Sequence, residues 1–231
     1  MGISIPLVVY THTDMKDVWP MFFGQLKKYI GDTKVYVAVN EDDTQISDMI
    51  RIIYDDSKPY TERWKQILPQ IEEETIMFMH EDMILFDSIN FELLEKYVGY
   101  VNEGLVNSVK LILAGDAVSI SPIDNTLVHN EFARFSIQPT IFKKKLLNDL
   151  VELHSNKNIW EFEQSIDIKQ TDFMVKLGNE KKRGIYHYDS LVFPYICTAI
   201  NKGKWNMSEY QIELDKMFNE YGVIPFERGI V

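Results

Sequence analysis

The chain has 231 residues, of which 45% are hydrophobic, enough apolar material for the core of one globular domain. Its 24 Lys and Arg face 35 Asp and Glu, a formal net charge of −11, which argues against a duplex nucleic-acid partner because phosphates need basic surfaces. The single cysteine, Cys197, excludes an internal disulfide framework, and no apolar run reaches the roughly 18 residues of a membrane-spanning helix.

Strands and helices are predicted to alternate along the first half of the chain. The amino-terminal letters MGISIPLVVYTH lack the basic start of a signal peptide, and they predict a first strand over 3–10. Next come helix 17–30, strand 34–40, a short helix 46–50, strand 51–54, helix 60–73, strand 75–79, helix 91–103 and strand 108–113. Such alternation is typical of a mostly parallel sheet with helices on both faces.

The second half of the chain is less regular. The pattern predicts helices over 143–154, 160–176 and 208–221, and a short strand over 182–187. We find no internal repeat, low-complexity segment or linker in the letters, so the second half is expected to fold onto the same sheet. The expected architecture is a single α/β domain located in the cytoplasm, and peripheral association with a membrane stays open.

The stretch 75–87, TIMFMHEDMILFD, is an apolar strand that is interrupted by Glu81 and Asp82. An ionised carboxylate in apolar surroundings is costly unless it is paired, and a divalent cation is a common partner. Open α/β sheets bind ligands at the carboxyl ends of their strands. The two acids therefore predict a cation site, although a surface turn that carries solvated acids fits the same letters.

Five motifs, in order along 60–205, resemble a family of small bacterial and viral glycosyltransferases with the GT-A fold. They read PYTERWKQILPQI, MFMHEDMILFD, SIQPTIFKKKLL, IWEFEQSID and AINKGKW. The resemblance implies a GT-A-like domain with a nucleotide-sugar-binding half, 1–115, and an acceptor-binding half, 116–231. It also implies a nucleotide-sugar donor, a saccharide acceptor and Mn²⁺ or Mg²⁺. The family usually carries Asp-x-Asp, whereas this chain has HED with adjacent acids.

The same resemblance distributes the catalytic roles. Asp82 is the first choice of metal ligand, with Glu81 beside it, and a late histidine, here His187, joins the metal in several GT-A families. A plain core or surface histidine fits His187 as well. An inverting transferase, which we slightly prefer, also needs a base for the acceptor hydroxyl. The resemblance favours Glu163 as that base, with Glu161 behind it.

Two other interpretations of the segment 158–167 stay open. If it is helical, Glu163 and Asp167 share one face at i and i+4. Trp160 and Phe162 are then candidates for an apolar or sugar-stacking wall beside them. An ordinary acidic helix start, favoured by the helix dipole, fits the letters equally well.

Donor contacts are expected in the loops after the first two strands, where GT-A proteins usually contact the nucleotide. Arg63 either reaches a phosphate or pairs with Asp55 or Asp56, and a basic residue in the late loop NKGKW is expected to touch the diphosphate. The candidate donor contacts are Thr11, His12, Thr13, Asn40, Asp42, Arg63, Glu81 and Lys204.

Two further function classes compete with sugar transfer. A nucleotidyltransferase would be expected to carry a glycine-rich, basic loop after the first strand, and YTHTDMKD is neither. A non-catalytic sugar- or nucleotide-binding protein with a degenerate transferase fold is suggested by the missing Asp-x-Asp. Gln138 or Arg134 is a weaker candidate for a contact with the acceptor sugar.

Overall fold

The computed structural model describes residues 2–115, 119–129, 135–166, 173–175, 178, 181–184 and 187–231. The strands are β1 (Leu7–Tyr10), β2 (Val35–Val39), β3 (Ile50–Ile53), β4 (Thr75–His80), β5 (Ser108–Lys110), β6 (Leu113–Ala114), β7 (Leu127–His129), β8 (Thr140–Lys143), β9 (Phe173–Val175), β10 (His187–Tyr188), β11 (Ile200–Asn201) and β12 (Lys204–Trp205). The helices are α1 (Trp19–Tyr29), α2 (Tyr60–Ile67), α3 (Phe91–Asn102), α4 (Lys144–Leu153), α5 (Ile159–Ser165), α6 (Met207–Tyr221) and α7 (Pro225–Arg228).

One eight-stranded sheet, in the order β3-β2-β1-β4-β8-β5-β9-β7, runs through the domain. Strands β1 to β4 are mutually parallel, as are β5 and β9, whereas β8 runs antiparallel between β4 and β5. Strands from both sides of residue 115 share this sheet, so the prediction of a single α/β domain with a mostly parallel sheet is confirmed. The division into donor and acceptor halves stays a prediction.

Helices cover both faces of the sheet. Neighbouring residues of a strand point to opposite sides, so two consecutive residues show which helix lies on each face. Tyr10 at the end of β1 stacks on Trp64 of α2, with ring centroids 5.8 Å apart. The next residue, Thr11, accepts a 2.7 Å hydrogen bond from the indole of Trp19 in α1. Helices α1 and α2 therefore lie on opposite faces, and both reach the carboxyl ends of the parallel strands.

Several element bounds differ from the sequence-based expectation. Helix α2 ends at Ile67 and continues as a 3-10 turn, Leu68–Gln70, because Pro69 cannot supply a helical amide. The helix expected over 160–176 is wrong in its second half, since α5 ends at Ser165 and Phe173–Val175 is strand β9. Pairing of β9 with β5 and β7 outweighs the local helical pattern there.

Other differences are smaller. The first strand is limited to Leu7–Tyr10, the short helix is a 3-10 turn at Thr44–Ile46, and the expected strand 108–113 is split into β5 and β6. The late strand expected over 182–187 forms at His187–Tyr188. Strand β8, which the mixed letters of SIQPTIF concealed, joins the two parts of the sheet.

Two segments of the second half support the end of β4. Residues 192–199 run antiparallel to 82–90. The amide of Ile196 donates a 2.9 Å hydrogen bond to the carbonyl of Ile84, and the amide of Ala199 donates a 2.7 Å hydrogen bond to the carbonyl of Asp82. Farther on, the segment 225–231 lies against β12 through hydrogen bonds of Trp205 with Gly229 and Val231.

Among the described helices, none combines the length and apolar character that a bilayer crossing requires.

Candidate functional site

The HED letters lie where the order of the parallel strands reverses. From β1 the chain proceeds outward to β2 and β3, and then returns to place β4 on the other side of β1. The carboxyl ends of adjacent strands diverge at such a point and leave a crevice in which α/β proteins bind ligands. His80, Glu81 and Asp82 therefore stand at the position in this sheet that the topology makes best suited to a ligand.

Glu81 is a buried acid with an unused oxygen. Its side chain is only 6% exposed, and its Oε2 atom has no hydrogen-bond partner. Burial, followed by the nearby charge of Asp82, raises the pKa of Glu81, while the Thr11 side chain and the charge of Arg228 act in the opposite direction. A buried carboxylate oxygen without a partner is costly, so this atom is suited to a cation.

Asp82 is only partly covered, and it faces the segment 192–199. Burial raises the pKa of Asp82, whereas a hydrogen bond with the Thr198 side chain lowers it. Two adjacent acids that resist ionisation retain protons at this strand end, and a divalent cation would favour their ionised forms. The described residues contain no cluster of three or more His, Cys, Asp or Glu side chains placed to hold a metal by themselves.

Without a divalent cation, the free energy of unfolding is expected to fall as the pH rises from about 5 to about 8. Both acids have raised pKa values in the folded protein, so the native state retains protons that the unfolded chain releases above about pH 4. Thermal unfolding in EDTA at pH 5.5 and pH 8 measures this. We expect a lower Tm at pH 8, partial recovery with Mn²⁺, and a weaker pH dependence in Asp82→Asn. An Asp82→Asn variant with the wild-type pH dependence would contradict the explanation.

Of the expected donor contacts, those in the loops after β1 and β2 lie together. Asn40 accepts the backbone amide of Thr13 at 2.8 Å, and it donates to the Thr13 hydroxyl at 3.0 Å. Nε2 of His12 lies 3.1 Å from Oδ2 of Asp56. The other carboxylate oxygen of Asp56, Oδ1, lies 2.8 Å from the guanidinium of Arg63. These side chains hold the two loops in place beside the Glu81 site, with Thr11 buried at its base.

Arg63 has several partners within the protein. Besides Asp56, its guanidinium donates to the Tyr10 hydroxyl at 3.0 Å and to the carbonyl of Lys58 at 2.7 Å. The guanidinium also lies over the ring of Tyr54, 5.3 Å from its centroid. The sequence left two roles open for Arg63, a phosphate contact or pairing with Asp55 or Asp56. The structure has the pairing with Asp56, and the phosphate contact stays a prediction.

Three other candidates lie apart from the acidic pair. Asp42 pairs with Arg51 on the surface. His187 lies 2.8 Å from the Tyr210 hydroxyl, and the charges that act on it come from Glu209, Asp189 and Arg183. The structure therefore does not bring His187 to Asp82, and its role as a metal ligand stays a prediction. The third, Lys204, is exposed on β12.

Glu163 lies in a buried polar cluster on the far side of β4. Its Oε1 atom accepts the backbone amide of Ile137, in the segment that leads into β8. Burial raises the pKa of Glu163, and the Ile137 amide and the charge of Lys110 lower it. The Tyr60 hydroxyl, which is 3.0 Å from Nε2 of His80, also lies close enough to Glu163 to be affected by its charge. Glu163 is thus connected with the HED strand end through Tyr60 and His80.

The neighbours of Glu163 on α5 have distinct surroundings. Glu161 is exposed and forms a capping box with Asn158, so its carboxylate serves the start of the helix. Phe162 is 1% exposed and packs on Phe135, so it cannot stack on a sugar. Trp160, in contrast, is 69% exposed. Asp167 and Arg134 lie outside the described residues.

Gln138 lies inside the protein beside this cluster. Its Oε1 atom accepts hydrogen bonds from the Tyr195 hydroxyl at 2.7 Å and from the Cys197 thiol at 3.1 Å. Burial raises the pKa of Cys197 to about 12, so the thiol stays protonated near neutral pH and can donate this bond. Gln138 therefore joins the lead into β8 to the 192–199 segment, and a sugar contact stays a prediction.

Sequence reasoning missed two basic residues near the site. Lys110, in the letters SVKLIL, is 3% exposed at the end of β5. A lysine inside an apolar strand pattern was the available signal, because lysine is rarely buried without a partner. Arg228 pairs with Asp17 in the loop after β1, and its charge acts on Glu81. No local pattern connects position 228 with position 81.

Comparisons with known proteins give only structural matches of low similarity. No family model matches the chain, and no curated protein matches it. The bifunctional IspDF of Campylobacter jejuni aligns at 15% identity over 82% of this chain and 52% of that one, with a TM-score of 0.44. TarS 1–349 of S. aureus aligns at 17% identity over 74% of this chain and 60% of that one, with a TM-score of 0.45. The mannosyltransferase PcManGT of Pyrobaculum calidifontis, in complex with GDP-Man and Mn²⁺, aligns at 12% over 65% and 47%, with a TM-score of 0.43. The chain thus spans roughly half to three-fifths of the length of these three solved chains, of which the TarS chain is the fragment 1–349.

Proposed function

We propose that this protein is a metal-assisted, inverting glycosyltransferase of the cytoplasm, which moves a sugar from a nucleotide-sugar donor to a saccharide acceptor. One observation carries the proposal: the adjacent acids Glu81, which is buried, and Asp82, which is partly exposed, lie at the reversal of strand order, and Oε2 of Glu81 has no hydrogen-bond partner. The motif order that resembles GT-A glycosyltransferases assigns the same pair to the diphosphate end of the donor.

The residues present fit a Mg²⁺ or Mn²⁺ ion. Such ions prefer oxygen ligands and are commonly held by one or two carboxylates together with phosphate oxygens of the substrate and water. Asp82, partly exposed, is the ligand expected to face the donor, and the unused Oε2 of Glu81 is the second. When bound, the ion would stabilise the negative charge of the departing nucleoside diphosphate as a Lewis acid.

Glu163 is the proposed base. In an inverting transfer the acceptor oxygen attacks the anomeric carbon, the bond from that carbon to the diphosphate breaks, and the hydroxyl proton leaves to a carboxylate. Because the Ile137 amide occupies Oε1 of Glu163, the proton is assigned to Oε2. Burial raises the pKa of Glu163 and thus makes it a stronger base than a solvated glutamate.

The loops after β1 and β2 are proposed to hold the nucleoside. Asn40 and Thr13 are already fixed by their two mutual hydrogen bonds, so little side-chain entropy is lost when a ribose or base binds. Arg228 donates a hydrogen bond to the carbonyl of Gly203, the residue that precedes Lys204 of β12. Arg228, whose charge acts on Glu81, is the basic group expected to attract the donor diphosphate, and Lys204 is the second candidate.

The proposal is tested by donor turnover. UDP-, GDP- and dTDP-sugars are incubated with the protein, with and without Mn²⁺, and release of nucleoside diphosphate is measured with and without a panel of saccharide acceptors. We expect Mn²⁺-dependent release from one donor class. Failure of every donor to turn over, in the presence of the ion, would favour a non-catalytic binding protein.

Trp160→Ala is expected to weaken acceptor binding and leave donor binding unchanged. Trp160 is 69% exposed at the start of α5, three positions before Glu163, so its ring can stack on the acceptor sugar beside the base. We expect the KM for the acceptor to rise about 5- to 50-fold, with an unaltered KM for the donor. Leu153→Ala, which removes an apolar side chain that is 67% exposed on α4, is the matched control. An equal effect of both variants would argue against stacking.

A further inference from the structure

Lys110 is a lysine enclosed by protein. It occupies the last position of β5, is 3% exposed, and donates a 2.9 Å hydrogen bond from Nζ to the Ser136 hydroxyl. Lysine can usually extend its charged end into water, and a fully buried one is retained where an opposite charge offsets the cost of burial. Ser136 therefore identifies where the ammonium group is held, and the source of compensating charge must lie nearby.

The Glu163 carboxylate is one opposite charge that acts on Lys110. Glu163 accepts the amide of Ile137, and Lys110 donates to the side chain of Ser136, so the acid and the ammonium group contact consecutive residues. Each group acts on the ionisation of the other: Lys110 lowers the pKa of Glu163, and Glu163 raises the pKa of Lys110. Three elements, β5, α5 and the lead into β8, converge on this point.

Two other described groups that face the pair, Tyr60 and Cys197, are neutral near pH 7. From α2, the Tyr60 hydroxyl is close to Glu163, and burial raises its pKa well above the ordinary value. From the 192–199 segment, Cys197 faces Lys110 with a pKa raised to about 12. Among the described residues, Lys110 is the one charged side chain whose charge acts on Glu163.

We propose that Lys110 is a positioning residue for sugar transfer, which holds the Glu163 carboxylate ionised and oriented beside the 136–137 peptide. Without Lys110, only the Ile137 amide would oppose the effect of burial, so the protonated acid would become more favourable, and a protonated Glu163 cannot accept the acceptor's proton. The inference rests on the proposed role of Glu163 as the base.

The direct test is a titration of Glu163 in the free protein, which requires no substrate. Carboxyl carbons are labelled with ¹³C, and the Glu163 resonance, assigned with Glu163→Gln, is followed against pH in wild type, Lys110→Met and the control Lys145→Met. Lys145 carries a solvent-exposed ammonium group on α4. We expect the Glu163 pKa to rise by at least about one pH unit in Lys110→Met and to stay unchanged in the control. An unchanged Glu163 pKa in Lys110→Met would overturn the inference.

A reciprocal measurement covers the case in which Lys110→Met does not fold. Because the coupling is mutual, Glu163→Gln should lower the pKa of the Lys110 ammonium group, which burial already lowers to about 8. The ¹³Cε resonance of Lys110 reports this, with Glu152→Gln, an exposed acid on α4, as the control. Equal Lys110 titration in wild type and Glu163→Gln would overturn the proposal.

The kinetic readout separates this inference from the proposed function. In Lys110→Met the acid limb of the kcat/KM profile for transfer is expected to move to higher pH by the shift measured for Glu163, while the donor Kd stays the same. An acid limb that stays in place although the carboxyl titration moves would overturn the inference in an enzyme that still transfers sugar. If no donor is turned over by wild type, the proposed function fails, whatever the titrations give.

Discussion

Asp82→Asn is expected to lower the rate of sugar transfer by at least about 10²- to 10³-fold. Asparagine retains the shape of the side chain, but it lacks the charge that would hold a divalent cation against the donor diphosphate. The variant should also unfold at a higher temperature than wild type in EDTA at pH 8, since one of two adjacent buried acids is neutralised. Transfer assays with Mn²⁺, together with thermal unfolding, measure both effects.

Asp87→Asn is the matched control for Asp82→Asn. Asp87 lies in the same segment but is exposed, and its Oδ1 atom accepts the amide of Ser88 at 2.7 Å, a bond that asparagine can also form. Transfer by Asp87→Asn should equal that of wild type. A folded Asp82→Asn protein that retains Mn²⁺-dependent transfer would remove Asp82 from the site. An isothermal titration of Mn²⁺ in the presence of UDP or GDP should show weaker binding in Asp82→Asn alone.

Glu163→Gln is expected to abolish transfer, by about 10²- to 10⁴-fold, while the donor still binds. Glutamine can accept the Ile137 amide as Glu163 does, so the position of the side chain is kept, but the amide cannot take the proton of the acceptor hydroxyl. The measurement compares the donor Kd, obtained by calorimetry, with kcat for transfer. A loss of donor affinity in parallel with kcat would indicate a binding role instead.

Glu161→Gln distinguishes the two candidate bases. The Glu161 carboxylate accepts the backbone amide of Asn158 at 3.0 Å, and glutamine forms the same capping box. We therefore expect kcat close to the wild-type value. If Glu161→Gln were inactive and Glu163→Gln active, the role of base would move to Glu161, and Lys110 would have no positioning role in transfer.

The first half of the fold was predicted well because its signals are local. The apolar stretch 75–79 became strand β4, which extends one residue further to His80, and the helix expected over 91–103 was found as α3. Buried strands of parallel sheets are continuous apolar runs, and amphipathic helices repeat every 3.6 residues, so neighbours in sequence carry the information. The adjacent acids in HED were visible for the same reason.

The second half of the fold depended on distant pairing. Strand β8 occupies the middle of the sheet only because Thr140–Lys143 finds β4 on one side and β5 on the other. The letters around Gln138 and Pro139 contain no clear period, and β9 was predicted as helix. Such short strands acquire their conformation from the sheet that receives them, so single-sequence patterns do not predict them.

The sequence by itself determined the α/β class, the apolar strand that ends in two acids, and the chemical types of the candidate groups. Only the tertiary structure decided that Glu81 is buried with an oxygen that has no partner, that His187 lies beside Tyr210 and not Asp82, and that the charge of Lys110 acts on Glu163. The physical reason is that burial, charge pairing and the resulting pKa values depend on which groups meet across the sheet. Such interactions connect residues that are far apart in the chain, and no periodic pattern in the sequence links them.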